Sequence, residues 1–182
     1  MKRIGIISDT HIRDVTARGI PSEVFEAFQN IDLILHGGDV TVPGVLEILK
    51  TVAPVIVVRG NNDFGELRDL PVSLRVEVEE VVIGLVHGDE PAFGQRVRPL
   101  EEATGSRQTA ANAISHFEFD GDVDCIVFGH SHRPLVLQHE VAGRKVLLLN
   151  PGSPTDKRYT PQYSCAVLEI NGSLIEPRLI TW

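Results

Sequence analysis

The chain is predicted to be an α/β protein of two packed β-sheets with helices outside, and three observations carry that prediction. From Ile4 to Val58, apolar strand-like runs alternate with helical spacing in the order strand, helix, strand, helix, strand. That order favours parallel pairing through right-handed crossovers. From Leu135 onward the chain reads as strand throughout. Finally, 182 residues with 42% hydrophobic content suit one compact domain with a sizeable core, so residues 1–182 are expected to form a single domain.

The first strand, Ile4-Gly5-Ile6-Ile7, leads through Ser8 into Asp9-Thr10-His11. Strand side chains alternate faces, so Asp9 and His11 point the same way if the strand continues through them, and they can then share one ion. Asp14–Gly19 reads as a loop, and Pro21-Ser22-Glu23 opens a helix with Val24, Phe25, Phe28 and Ile31 at helical spacing. Leu33-Ile34-Leu35 is the second strand. It ends in His36-Gly37-Gly38-Asp39, whose glycines permit a tight turn that delivers the carboxylate. A helix from about Pro43 to Lys50 buries Leu46 and Leu49, and the β-branched run Val55–Val58 ends in Arg59-Gly60-Asn61-Asn62-Asp63. With parallel pairing, the C-terminal ends of these strands share the edge at which open α/β sheets bind ligands.

Leu74, Val76 and Val78 then alternate with polar residues, Glu79-Glu80 makes a turn, and Val81–Val86 returns into His87-Gly88-Asp89, a β-hairpin pattern. Glu90–Ser106 is polar and carries Pro91, Gly94, Pro99 and Gly105. It reads as a long surface loop, able to shape a pocket or an oligomer contact. A short helix with Ala110, Ala113, Ile114 and Phe117 follows it. Asp124–Phe128 is another buried run, terminating in Gly129-His130-Ser131-His132. The closing strands are Leu135–Glu140, Lys145–Leu149 leading into Asn150-Pro151-Gly152-Ser153, Ser164–Ile170, and Leu174 onward, with Asn171-Gly172 marking a type I′ hairpin.

Lys+Arg 17 against Asp+Glu 25 gives a net charge of −8, which disfavours nonspecific binding to a nucleic-acid duplex or an anionic membrane. A small anionic substrate is still accommodated, because bound divalent cations reverse the field at one site. No apolar signal segment or membrane-length run is found, so a cytoplasmic location is expected. Cys125 and Cys165 lie in apolar runs without Cys-x-x-Cys spacing and read as buried thiols, neither of them a nucleophile. Assembly into a homo-oligomer is left open.

Five apolar runs thus end in His, Asp or Asn: Asp9/His11, Asp39, Asn61, His87 and His130/His132. Singly, Asp39 reads as a turn residue, Asn61 as an Asx-turn and His87 as a satisfied strand-end imidazole. Jointly, that reading requires five coincidences at one sheet edge. The ordered set Asp9-Thr10-His11, Gly38-Asp39, Gly60-Asn61-Asn62-Asp63, His87-Gly88 and Gly129-His130-Ser131-His132 resembles the calcineurin-like metallophosphoesterases. The short length and Asn150-Pro151-Gly152-Ser153 resemble the small bacterial and archaeal phosphodiesterase branch, whose relatives include the retromer scaffold subunit.

The resemblance implies a four-layer αββα sandwich of two mixed β-sheets flanked by helices, holding two divalent metal ions. One ion would be bound by Asp9, His11, Asp39 and His132, the other by Asp39, Asn61, His87 and His130. Mixed imidazole, carboxylate and amide ligands suit manganese, the expected ion, with nickel, iron or zinc as alternatives. The implied activity is metal-dependent hydrolysis of a small phosphoester, a phosphodiester rather than a phosphomonoester, by attack of a metal-bridging hydroxide. The alternative is a metal-binding scaffold that binds a protein partner through the same fold. Many members of the family have a His, placed to protonate the leaving group, where Asn62 stands; an amide can hydrogen-bond a substrate oxygen but cannot supply that proton. His36 either orients a ligand from behind or is a buried strand-end histidine, Asp63 is expected to hold the Asn61 turn, and His116 and His139 read as surface or satisfied histidines.

Overall fold

In a computed structural model, which describes residues 1–16, 19–89, 123–141 and 144–182, the aliphatic runs form strands and the intervening amphipathic segments form helices. The first half runs β1 (Lys2–Ile7), α1 (Ser22–Ala27), β2 (Leu33–His36), α2 (Pro43–Lys50) and β3 (Val55–Val57). Both crossovers join parallel neighbours, with Ile4 opposite Leu33 and Leu35 opposite Ile56. A 3₁₀ helix at Gly65–Asp69, which the sequence reading lacks, leads into the hairpin of β4 (Ser73–Val78) and β5 (Val81–Val86). Then come β6 (Cys125–Val127), β7 (Leu135–Val141), β8 (Arg144–Asn150), β9 (Ser164–Asn171) and β10 (Leu174–Thr181). The loop read over Glu90–Ser106, the helix read after it and His116 lie outside the described residues.

The strands make two mixed five-stranded sheets, ordered β10-β9-β1-β2-β3 and β4-β5-β6-β8-β7. Their inner faces pack on each other through Ile4, Ile6, Ile83, Leu85, Val127, Leu149, Ala166 and Leu168, all buried. Period-two alternation sends Ile7, Ile34, Cys165 and Val167 to the opposite face of the first sheet, where Val24 and Phe28 of the α1 segment and Val45 and Leu49 of α2 cover them. Val86, Ile126, Phe128, Val146 and Leu148 form a third cluster on the outer face of the second sheet. No described helix is long and apolar enough to cross a membrane.

Two local expectations are corrected. β9 pairs Asn171 with Leu174, so the central turn residues are Gly172 and Ser173. Gly172 alone has positive φ (59°), which fits a type II′ turn rather than type I′ at Asn171-Gly172. His139, read as surface or satisfied, is buried, with Nε2 lacking a hydrogen-bond partner among the described residues. In both sheets the parallel strands β1, β2, β3, β5, β6 and β8 deliver the loops described next.

Candidate metal centre

β1 stops at Ile7, so Asp9 and His11 are brought together by loop conformation and not by strand alternation. Among the described residues nine non-glycine positions have positive φ, and five are Asp9 (54°), His11 (45°), Asp39 (55°), His130 (66°) and His132 (60°). Asp and His tolerate this region better than most side chains, yet each instance costs about 1–3 kcal/mol and must be held by its surroundings. Main-chain bonds provide the hold: Asp9 N donates to Gly38 O (3.0 Å), His11 N to Asp39 O (3.2 Å) and Gly129 N to His87 O (3.0 Å). These bonds tie the β1 loop to the β2 loop in the first sheet and the β5 loop to the β6 loop in the second, and His130 N, donating to Asp9 Oδ2 (2.9 Å), and His87 Nδ1, donating to Gly37 O (2.7 Å), join the two pairs across the gap.

The predicted side chains converge. His132 Nε2 lies 3.2 Å from Asp9 Oδ1, and His11 Nε2 lies 3.2 Å from His132 Nε2 and 3.4 Å from Asp39 Oδ2. His87 Nε2 lies 3.4 Å from Asp39 Oδ2 and 3.2 Å from Asn61 Oδ1, which is 3.1 Å from His130 Nδ1. Asp9, Asp39, His87 and His132 are fully buried. Asp9, His11 and His132 form one group compact enough to hold an ion, and Asp9, Asp39 and His87 form another.

The donor chemistry fits cations. His87 Nδ1 donates to Gly37 O (2.7 Å) and His132 Nδ1 to the Asp156 carbonyl, which turns the Nε2 of each ring toward the lone pairs of other acceptors. Such facing acceptors require a proton or a metal ion between them. Burial opposes charging of His87, but its bond to Asp39 and the charges of Asp9 and Asp39 outweigh that and raise its pKa to about 9. Burial likewise acts to raise both carboxylates, yet His132 and His87 hold Asp9 below the usual carboxylate range, and His87 and Asn62 do the same for Asp39. His11 and His130 are lowered, by burial first, and so favour the neutral form that a metal needs.

The supporting residues divide as follows. Asp63 Oδ2 accepts from Asp39 N (3.0 Å) and Gly60 N (2.7 Å), and Oδ1 from Thr41 N (2.8 Å), so it clamps the Asp39 and Asn61 turns together. Burial nevertheless raises its pKa. His36 is buried, takes the Gly38 N–H on Nδ1 (3.2 Å) and faces Thr10 Oγ1 through Nε2 (3.3 Å), bracing the turn that delivers Asp39. Burial drives its pKa down to about 4. Asn62 is turned onto Asp39: its main-chain N donates to Oδ1 and its Nδ2 to Oδ2, both at 2.7 Å.

Sequence reasoning gave no site role to Ser8, whose Oγ donates to Asp9 Oδ2 (2.7 Å), or to the loop after β8, whose Asn150-Pro151-Gly152-Ser153 served only as a family likeness. In that loop Ser153 Oγ donates to Asp9 O (2.7 Å), and Asn150 Nδ2 donates to Gly129 O (2.9 Å) and Ser131 Oγ (3.1 Å). The available signal was Asn150-Pro151-Gly152-Ser153 itself: a sixth strand end closed by small polar residues. Cys125 and Cys165 are buried free thiols, away from the ionised state because burial pushes Cys165 up to about 12 and raises Cys125 as well.

Comparison with known proteins agrees with this geometry. A family model described as the calcineurin-like phosphoesterase superfamily domain matches residues 1–173. The chain is 38% identical to a protein named probable metallophosphoesterase from Methanothermobacter thermautotrophicus over 179 residues, covering 97% of this chain and 91% of the other. It resembles the structure of wild-type Vps29 complexed with Zn²⁺ from Entamoeba histolytica, at 25% identity, TM-score 0.66 and 98% coverage of both chains. A structure described as a novel archaeal phosphodiesterase shares the fold, at 23% identity, TM-score 0.66 and 99% coverage of both chains.

Proposed function

We propose that this chain, which belongs to the calcineurin-like phosphoesterase superfamily, is a two-metal phosphodiesterase acting on a small phosphoester in the cytoplasm. The observation that carries the reading is the facing of imidazole, carboxylate and amide acceptors around Asp39, an arrangement that cations stabilise. Asp9, His11, Asp39 and His132 would hold one ion and Asp39, Asn61, His87 and His130 the other, with manganese as the expected metal. When bound, such ions offset charge on the phosphoryl oxygens and acidify a water for attack.

The chain's own part is to fix the donors. Gly37 O and Asp156 O set the ring tautomers of His87 and His132, Ser8 and the His130 main-chain N–H (2.9 Å) orient Asp9, and Asn62 orients Asp39. No Ser or Cys nucleophile paired with a base is needed. The likeness to Vps29 favours a second reading, a metal-binding scaffold for a protein partner. One experiment separates the two: purified protein is stripped with a chelator, reloaded with Mn²⁺, Ni²⁺, Zn²⁺ or Mg²⁺, analysed for metal content and assayed on bis(4-nitrophenyl) phosphate. The enzyme reading expects hydrolysis that vanishes with the chelator and returns with a transition metal. Bound metal without hydrolysis of any ester would favour the scaffold, and undiminished activity in metal-free protein would overturn the mechanism.

A further inference from the structure

Beside the metal centre lies a cavity of about 330 Å³ lined by Arg59, Gly60, Asn61, Asp63, Arg68 and Asp89. It shares Asn61 with the centre, so a molecule seated in it reaches the face where the phosphoryl group would react. The Arg59 side chain is tied to the main chain, and the exposed Arg68 lies over an aromatic ring. Arg59 follows β3 directly, its main-chain N donates to Pro71 O (2.8 Å), and its Nη1 donates to Arg68 O (3.1 Å). Arg68 sits in the 3₁₀ helix with its guanidinium carbon 5.8 Å from the centroid of the Phe64 ring.

Neither guanidinium has a carboxylate partner among the described residues. Asp63 is already engaged by three main-chain N–H groups, which leaves Asp89 as the carboxylate without a hydrogen bond in the described lining. Two permanently charged guanidiniums without an ion pair among the described residues, at one cavity of a chain whose net charge is −8, offer an anion two sets of donors beside the carboxylates of Asp63 and Asp89.

We propose that this cavity is a subsite for a second phosphate, so that the preferred substrates are phosphodiesters that also carry a phosphomonoester, as a nucleotide phosphorylated at a second position does. The inference rests on the phosphodiesterase reading and narrows its substrate class. Two guanidinium forks match the double charge and three terminal oxygens of a phosphomonoester; one carboxylate would leave a fork unfilled. Asp89 suits a hydrogen-bond donor on the same ligand, such as a sugar hydroxyl.

The test compares thymidine 5′-(4-nitrophenyl phosphate) with the same ester bearing a 3′-phosphate, on manganese-loaded protein. Wild type is expected to show a kcat/KM roughly 10-fold or more higher for the 3′-phosphorylated ester, the scale of one good charge-assisted contact. Arg59→Ala and Arg68→Ala should each bring that ratio toward one, and Arg68→Lys should restore part of it. Independently of turnover, calorimetry in chelator should find thymidine 3′,5′-bisphosphate bound more tightly than thymidine 5′-phosphate by wild type and not by either alanine variant. Equal kcat/KM for the two esters, or a ratio untouched by both alanine changes, would overturn the subsite while leaving the phosphodiesterase reading intact. If neither ester is cleaved but the calorimetric preference persists and is lost in the variants, the phosphodiesterase reading fails and the phosphate subsite stands.

Discussion

In the proposed reaction Asn62 takes the position at which many members of the family carry a His for the leaving group. Its Nδ2 donates to Asp39 Oδ2 at 2.7 Å, so it orients a carboxylate, and an amide has no proton to give at neutral pH. General acid catalysis is typically worth ~10²–10⁴-fold, most when the departing oxygen is basic and least when it is a stabilised phenolate. The wild-type protein is therefore expected to favour activated aryl diesters, with rates that fall steeply as leaving-group pKa rises. Asn62→His should flatten that dependence, and because it removes the Nδ2 donor to Asp39 it should also lower the rate on the best aryl substrate. A series of aryl and alkyl diesters assayed on both forms measures it. A shallow dependence in the wild type would mean that another group already supplies the proton.

The next scale is the strand end, where loops from the two sheets cross almost in contact. An added Cβ at Gly129 would lie 1.9 Å from Ser8 Oγ and 2.5 Å from Asp9 Oδ2, and one at Gly60 would lie 2.2 Å from Asp39 Oδ1. Gly129→Ala must therefore push Ser8 and Asp9 away from their positions. Overpacking of this kind costs about 1–3 kcal/mol, and the displaced carboxylate should lower metal content as well. Urea unfolding with metal analysis of the same preparation checks both; wild-type values on each would show that the crossing yields more easily than its distances imply. These crossings also explain what the sequence could and could not reveal. Asp9, His11, Asp39, Asn61, His87, His130 and His132 were legible because each follows a run of aliphatic residues, and parallel topology gathers such ends. The left-handed backbone at Asp9 and His11, the roles of Ser8 and Ser153, and the turn of Asn62 onto Asp39 were not legible. They depend on which loop faces which, between neighbouring strands of one sheet for Asn62 and Asp39 and across the gap between sheets for Ser153 and Asp9, residues more than a hundred positions apart.

Across the whole molecule, the arrangement places titratable groups in the interior and makes stability depend on pH. In metal-free protein His87, raised to about 9, stabilises the fold fully below its unfolded pKa of 6.5 and loses that contribution as pH climbs through 9. His36 has the opposite sign. Burial lowers it to about 4, so between 6.5 and 4 the unfolded chain takes up a proton that the folded chain refuses, and stability falls as pH falls through that window. Each pKa unit is worth about 1.4 kcal/mol, so the loss attributable to His36 approaches roughly 3 kcal/mol at the acid end. The lowered Asp9 and Asp39 begin to contribute a loss only below their unfolded value of 3.8, outside most of that interval. His36→Asn keeps an acceptor for the Gly38 N–H and removes the titration. The variant should be less stable than wild type at pH 7.5, because the Thr10 contact and packing are lost, yet its stability should decline less steeply between pH 6.5 and 4.5. Urea midpoints measured in chelator at steps across that range give the two slopes. Parallel slopes would mean that His36 becomes charged in the folded state as readily as in the unfolded chain, and that its burial between Thr10 and Gly38 does not hold it neutral.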